Sequence, residues 1–161
     1  MLNSLLLLAL SGMTMFTATV KDCSSGSSVF TLNSASVTPN TPVAGDQVLL
    51  SIDYTVPQGL TVTNGTSEYS ITYNFLPFTP VVEPLCANVP CPLLGGSYKN
   101  DSLSTWPSGL SGTIVTQMKW YNLNRDILLC VGISWKTLSN RTDIAKRTVY
   151  KHSFLRKAGT R

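Results

Sequence analysis

The chain has 161 residues but only one histidine, His152, and charged residues make up just 12% of it. A lone histidine in the C-terminal stretch leaves no Ser-His-Asp or Cys-His constellation for nucleophilic catalysis. The acids Asp46, Asp53, Glu68, Asp101 and Asp126 fall in turns or on polar strand faces. A carboxylate pair meeting in space is the one catalytic arrangement left open, and the chain is read as a non-enzyme without cofactors. Helical periodicity is nearly absent, which excludes bundle and α/β classes. Gly95-Gly96 lacks the strand–loop–helix setting of a phosphate loop and reads as a turn. No internal repeat is visible.

Positive charge is scarce in most of the chain. Residues 1–140 carry five Lys/Arg against seven Asp/Glu, while residues 141–161 carry seven against one. The net charge of +4 therefore belongs to a tail. A slightly acidic body argues against a nucleic-acid partner. The tail, "RTVYKHSFLRKAGTR", reads as a solvated extension or an added edge strand. Its charge would suit transient contact with an anionic membrane, at about 1 kcal/mol per basic residue near the surface.

Long apolar runs are confined to the start. "MLNSLLLLALSGMTMFTA" has a short apolar stretch, Leu5 to Leu10, followed by small residues, with Ala18 as the expected cleavage point. A spanning helix needs roughly 20 apolar residues, and Ser11, Gly12, Thr14 and Thr17 interrupt this one. Residues 1–18 are read as a signal peptide, followed by a domain over 19–139 and a basic extension over 140–161. Three N-x-S/T sequons, at Asn64, Asn100 and Asn140, are candidate glycosylation sites. The chain is expected to be a monomer in a secreted or endo-lysosomal lumenal location.

Cysteines number four, an even count that suits an oxidising compartment. Cys86 with Cys91 closes a small loop, which leaves Cys23 with Cys130. No second ligand pair supports a zinc site, so no metal is expected.

What the sequence does have is period-two alternation. "QVLLSIDYT" sets Val48, Leu50, Ile52 and Tyr54 on one face. "EYSITYNF" does so with Tyr69, Ile71, Tyr73 and Phe75, "GTIVTQMKW" with Ile114, Met118 and Trp120, and "DILLCVGISW" with Ile127, Leu129, Val131, Ile133 and Trp135. Turn clusters such as Pro57-Gln58-Gly59 and Asn122-Leu123-Asn124 separate them. Six or seven half-buried strands predict an all-β antiparallel sandwich of two sheets. The segment "PFTPVVEPLCANVPCPLLGG", residues 77–96, holds five prolines yet many apolar side chains. Proline keeps it extended without ladder hydrogen bonds, so it reads as a stiffened crossing between sheets. Alternation alone does not decide whether its apolar side chains fill an ordinary core or wall a cavity.

The ordered pieces "VKDCSS", "ASVTP", "PFTPVVEPLC", "CPLLGG", "MKWYN" and "LLCVGISW" resemble the ML (MD-2-related lipid-recognition) family, nearest to its lysosomal cholesterol-transfer members of the Niemann–Pick type C kind. The likeness runs from about Val20 to Leu138. It implies an immunoglobulin-like sandwich with an apolar pocket between the sheets, the disulfides Cys23–Cys130 and Cys86–Cys91, and non-covalent binding and transfer of a sterol or phospholipid. Phe78 matches an aromatic residue that contacts sterol in such members, and the strand ending at Trp120 matches a pocket strand. The resemblance implies a ligand-binding set of Phe78, Val81, Leu93, Tyr98, Ile114, Met118 and Trp120, with Leu103, Trp106 and Leu110 at an entrance loop. Tyr54, Tyr69, Tyr73 and Tyr98 are candidates to orient a polar head. One departure stands out: "SVTPNTPVAGDQ" lacks the third disulfide usual in the nearest members. The alternative reading is a surface interaction glycoprotein with the same sandwich and a filled core.

Overall fold

A computed structural model describes residues 17–42, 45–105 and 112–137. The stretch up to residue 16, expected to be a signal peptide, together with Trp106, Leu110, Asn140, His152 and the basic tail, lies outside the described residues. Nine strands are present among those described: β1 Thr19–Asp22, β2 Thr31–Thr38, β3 Gln47–Val62, β4 Thr66–Tyr73, β5 Leu76–Pro77, β6 Val81–Pro84, β7 Leu93–Thr105, β8 Gly112–Tyr121 and β9 Ile127–Thr137. One short 3-10 turn, Leu85–Ala87, separates β6 from β7. All pairings are antiparallel.

The strands form two sheets of unequal width. The larger has six strands in the order β1-β9-β8-β4-β5, with β6 also on β4; the smaller has three, β2-β3-β7. The expected two-sheet sandwich is therefore present. The sheets come closest where β2 meets β1 and β9, which makes that side the closed one.

Register fixes which side chains face inward. Ser67, Tyr69, Ile71 and Tyr73 on β4 stand opposite Trp120, Met118, Thr116 and Ile114 on β8. These in turn stand opposite Leu129, Val131, Ile133 and Trp135 on β9. On the smaller sheet, Val48, Leu50, Ile52, Tyr54 and Val56 of β3 face in, opposite Ser104, Ser102, Asn100, Tyr98 and Gly96 of β7. Tyr54 joins the sheets. Its ring stacks on Phe30 and Tyr98 at 5.8 and 5.6 Å, and Trp120 meets it edge-on at 5.2 Å. Aromatic pairs in these geometries add about 1 kcal/mol each beyond area burial.

Both disulfides form as expected, Cys23–Cys130 and Cys86–Cys91. The first ties the chain just after β1 to β9. The second brackets the passage from the larger sheet to the smaller, so residues 77–96 are indeed a crossing.

Three local expectations are corrected. Pro57-Gln58-Gly59 is not a turn but a bulge inside the 16-residue β3, where the pairing with β7 slips between Val56 and Thr61. Gly59 takes the left-handed φ of 81° there. Gly95 of β7 fits against the bulge because a Cβ would come within 2.8 Å of the Gln58 Cα. Phe75 does not extend the inward row of β4. With Asn74 it forms a two-residue hairpin turn in which both φ are positive, 46° and 70°. Asn74 suits that conformation and is pinned to β8, accepting from the Thr113 amide at 2.9 Å. Leu103 lies inside β7 rather than in a loop, paired with Leu49 on the outer face.

Candidate functional site

The inner row of the larger sheet changes character as it nears β5 and β6. Val81 pairs with Tyr69, and Leu76 with Tyr73. The Phe78 amide donates to the Ile71 carbonyl at 2.8 Å, which sets Phe78 beside Ile71. All four apolar residues stand on the inward face, yet Ile71 is 45% exposed, Leu76 68%, Phe78 56% and Val81 55%. The cause is strand count. Six strands share one sheet and three the other, and β5 and β6 lie beyond β4 at the edge of the larger. The prolines at 77, 80 and 84 hold this border extended.

Deeper in, the same face is packed. Leu93, Ile114, Met118 and Trp120 are buried, and Tyr98 is half-buried against Tyr54. The sequence-predicted set thus splits in place: Phe78 and Val81 on the uncovered border, Leu93, Tyr98, Ile114, Met118 and Trp120 inside. Leu103 is exposed on the opposite face of β7.

The facing border of the smaller sheet is polar. Asn100, Ser102 and Ser104 of β7 point inward with Tyr98. The open side therefore has an apolar lip from the wide sheet and a hydroxyl- and amide-bearing lip from the narrow one. Among the described residues, no Lys or Arg stands on either inner face. Charged pairs are kept outside, as in Arg125–Glu68 at 3.7 Å and Lys99–Asp101 at 3.9 Å.

A Niemann–Pick type C2 protein from the Japanese carpenter ant matches with a TM-score of 0.56 at 16% identity, over 74% of this chain and 99% of that one. Chicken MD-1, solved in complex with lipid IVa, matches with a TM-score of 0.57 at 13% identity, over 78% of this chain and 92% of that one. The chain has the fold of these two proteins. The resemblance to the ML family holds at that level, with an immunoglobulin-like sandwich in each case. No family model matches the sequence. A Dictyostelium discoideum protein named "Putative phosphatidylglycerol/phosphatidylinositol transfer protein 1" is 28% identical over 85 residues, 52% of this chain. The match spans 55% of that relative's length.

Within this ML-like frame, the tyrosines sort by environment. The Tyr98 hydroxyl accepts from the Leu94 amide at 3.0 Å and donates to the Leu94 carbonyl at 2.9 Å. It braces the strand beside the β3 bulge. Burial, with a smaller contribution from Tyr98, pushes the Tyr54 hydroxyl up to about 12, so it stays neutral. Tyr69 and Tyr73 lie on the inward row next to the uncovered border. A separate recess of about 430 Å³ opens at the end of the sandwich, lined by Leu60, Val62, Asn64, Asn122, Leu123 and Leu128 among others. None of the sequence-predicted ligand residues lines it.

On the inner face, the neighbour of the sequence-predicted Trp120 escaped the sequence reading. Ser67 and Trp120 are cross-strand neighbours, both fully buried. The Ser67 hydroxyl and the Trp120 Nε1 have no hydrogen-bond partner. Extending the alternation Tyr73, Ile71, Tyr69 by one more step would have found Ser67 on the inward face.

Proposed function

We propose that this protein binds a lipid between its two sheets, entering past β5 and β6, and carries it without chemical change. The observation that supports this most directly is the inward-facing but uncovered strip Ile71, Leu76, Phe78 and Val81. Removing apolar surface from water returns about 25 cal/mol per Å², and an apolar ligand seated on the strip supplies the cover that the narrow sheet does not. The fold likeness to a Niemann–Pick type C2 protein and to MD-1, crystallised with lipid IVa, points the same way. So does the name of the curated relative. A sterol or phospholipid is the ligand class, with Phe78 and Val81 at the mouth and Tyr98, Leu93, Ile114, Met118 and Trp120 toward the interior. Transfer between membranes, a lumenal or secreted location consistent with two disulfides, a monomeric state and approach of the basic tail to anionic lipid complete the reading.

The test is mass spectrometry of lipid extracted from the purified secreted protein, beside a Phe78→Asp variant. The expected result is about one lipid per wild-type chain and strong depletion in the variant. A chain free of lipid, which also takes up neither added sterol nor phospholipid, would have a filled core and be an interaction glycoprotein instead.

A further inference from the structure

We infer that the inner end of the inter-sheet space is a polar subsite built by Ser67 and Trp120, and that it takes an uncharged lipid bearing an oxygen at both ends. The inference rests on the lipid-binding reading above and specifies the ligand.

Buried polar groups in folded proteins are almost always hydrogen-bonded. The doubly engaged Tyr98 hydroxyl obeys that rule, while the buried Ser28 and Thr66 hydroxyls do not. Ser67 and Trp120 break it side by side, on the same face, at full burial. Indole is a donor only, and a hydroxyl both donates and accepts. One oxygen placed between them satisfies both, accepting from Nε1 and exchanging a hydrogen bond with Oγ. The neighbouring side chains are turned to other contacts. Glu83, on the other flank of Ser67, accepts from Asn88 Nδ2 at 3.1 Å, and Tyr54 presents its ring to Trp120.

Charge narrows the class. With no Lys or Arg on the inner faces among the described residues, nothing there would compensate a buried phosphate or carboxylate. The oxygen is therefore a hydroxyl or carbonyl. Length narrows it further. Ser67 and Ile71 are four residues apart on β4, about 13 Å at the rise of an extended strand. Ile71 marks the uncovered row. Val81, also at the mouth, pairs with Tyr69, two residues or about 7 Å from Ser67, so a ligand with its head at the mouth reaches the subsite with a second oxygen at least about 7 Å away.

Two probe pairs test this: cholesterol against 25-hydroxycholesterol, and 1-hexadecanol against 1,16-hexadecanediol. Each pair shares an apolar body and differs in the far oxygen. Titration calorimetry is expected to show the doubly oxygenated member binding about tenfold tighter, the worth of a well-made buried hydrogen bond. The Trp120 indole N–H resonance, assigned by its loss in Trp120→Phe, should move downfield with that member and not with its partner. Ser67→Ala should erase the preference, bringing the two members of each pair to equal affinity. Equal binding within each pair that binds, or a preference that survives Ser67→Ala, overturns the subsite and leaves lipid binding intact. An indole proton already at its hydrogen-bonded position without lipid also overturns it, because a water then holds the pair. If none of the four probes binds, the subsite falls, and the lipid-binding reading stands or falls separately by the lipid extraction and phospholipid uptake described above.

Discussion

Along the β1–β2–β9 side, apolar rows meet apolar rows. Val37, Val131 and Ile133 are buried, Cys23–Cys130 ties β9 to the chain start, and the Phe30–Tyr54–Trp120 cluster spans the sheets. Along the β4–β5–β6 side, residues of the same chemical kind occupy the same face and are left in the open. The difference goes with the strand count, three in the smaller sheet against six in the larger, with β5 and β6 at the larger sheet's edge. One sandwich thus contains a region whose apolar surface is packed and a region whose apolar surface is left uncovered.

The largest effect expected from this contrast is on the closed side. Replacing both Cys23 and Cys130 by Ser removes a cross-link between residues 107 apart. It should cost about 4 kcal/mol in urea unfolding, by the chain-entropy account of a loop that long. A loss below about 1 kcal/mol would mean that packing alone holds that side. Next comes pH. The folded chain keeps the Tyr54 proton, with its hydroxyl near 12, while the unfolded chain releases it near 10.0. Stability contributed by the protonated hydroxyl is complete below pH 10 and is lost as pH rises toward 12. Urea midpoints measured from pH 9 to 11.5 should fall more steeply for the wild type than for Tyr54→Phe. Parallel curves would mean that the ring is not buried in solution. The smallest effect belongs to the open side. Ile71→Thr in delipidated protein should change stability by less than about 0.5 kcal/mol, as for an exposed position. A loss of about 2 kcal/mol, usual for trimming a packed core, would show that the border is covered and would collapse the distinction between the two sides.

Strands with one wet face announce themselves, which is why β3, β4, β8 and β9 were legible as alternating runs. The second half of β7 was not, because "NDSLST" presents Asn100, Ser102 and Ser104 to a partly open interior and so has no apolar row. The bulge at Pro57–Gly59 shares its residue types with a turn, and only the Gly95 contact on a neighbouring strand distinguishes them. Phe75 was misplaced because Asn74 can open a tight turn in the middle of an alternating run. The small loop closed by Cys86 and Cys91 made the disulfide pattern readable. At the site, the likeness of "PFTPVVEPLC" to a family segment singled out Phe78 and Val81. Their exposure was not legible, since it depends on how far the other sheet reaches. Ser67 was hidden by its chemistry, a small polar residue on a face read for apolar ones.

The unequal strand count has a practical consequence for anyone purifying this protein. If the open border is where a ligand sits, the chain has no single intrinsic melting temperature. A bound ligand stabilises the folded state by mass action, about 2.7 kcal/mol at a free concentration one hundred times its dissociation constant. Batches of identical sequence would then melt apart according to what the host cell loaded into them. A spread in melting temperature between preparations, closing after delipidation, would report the contents of the sandwich before any ligand is named.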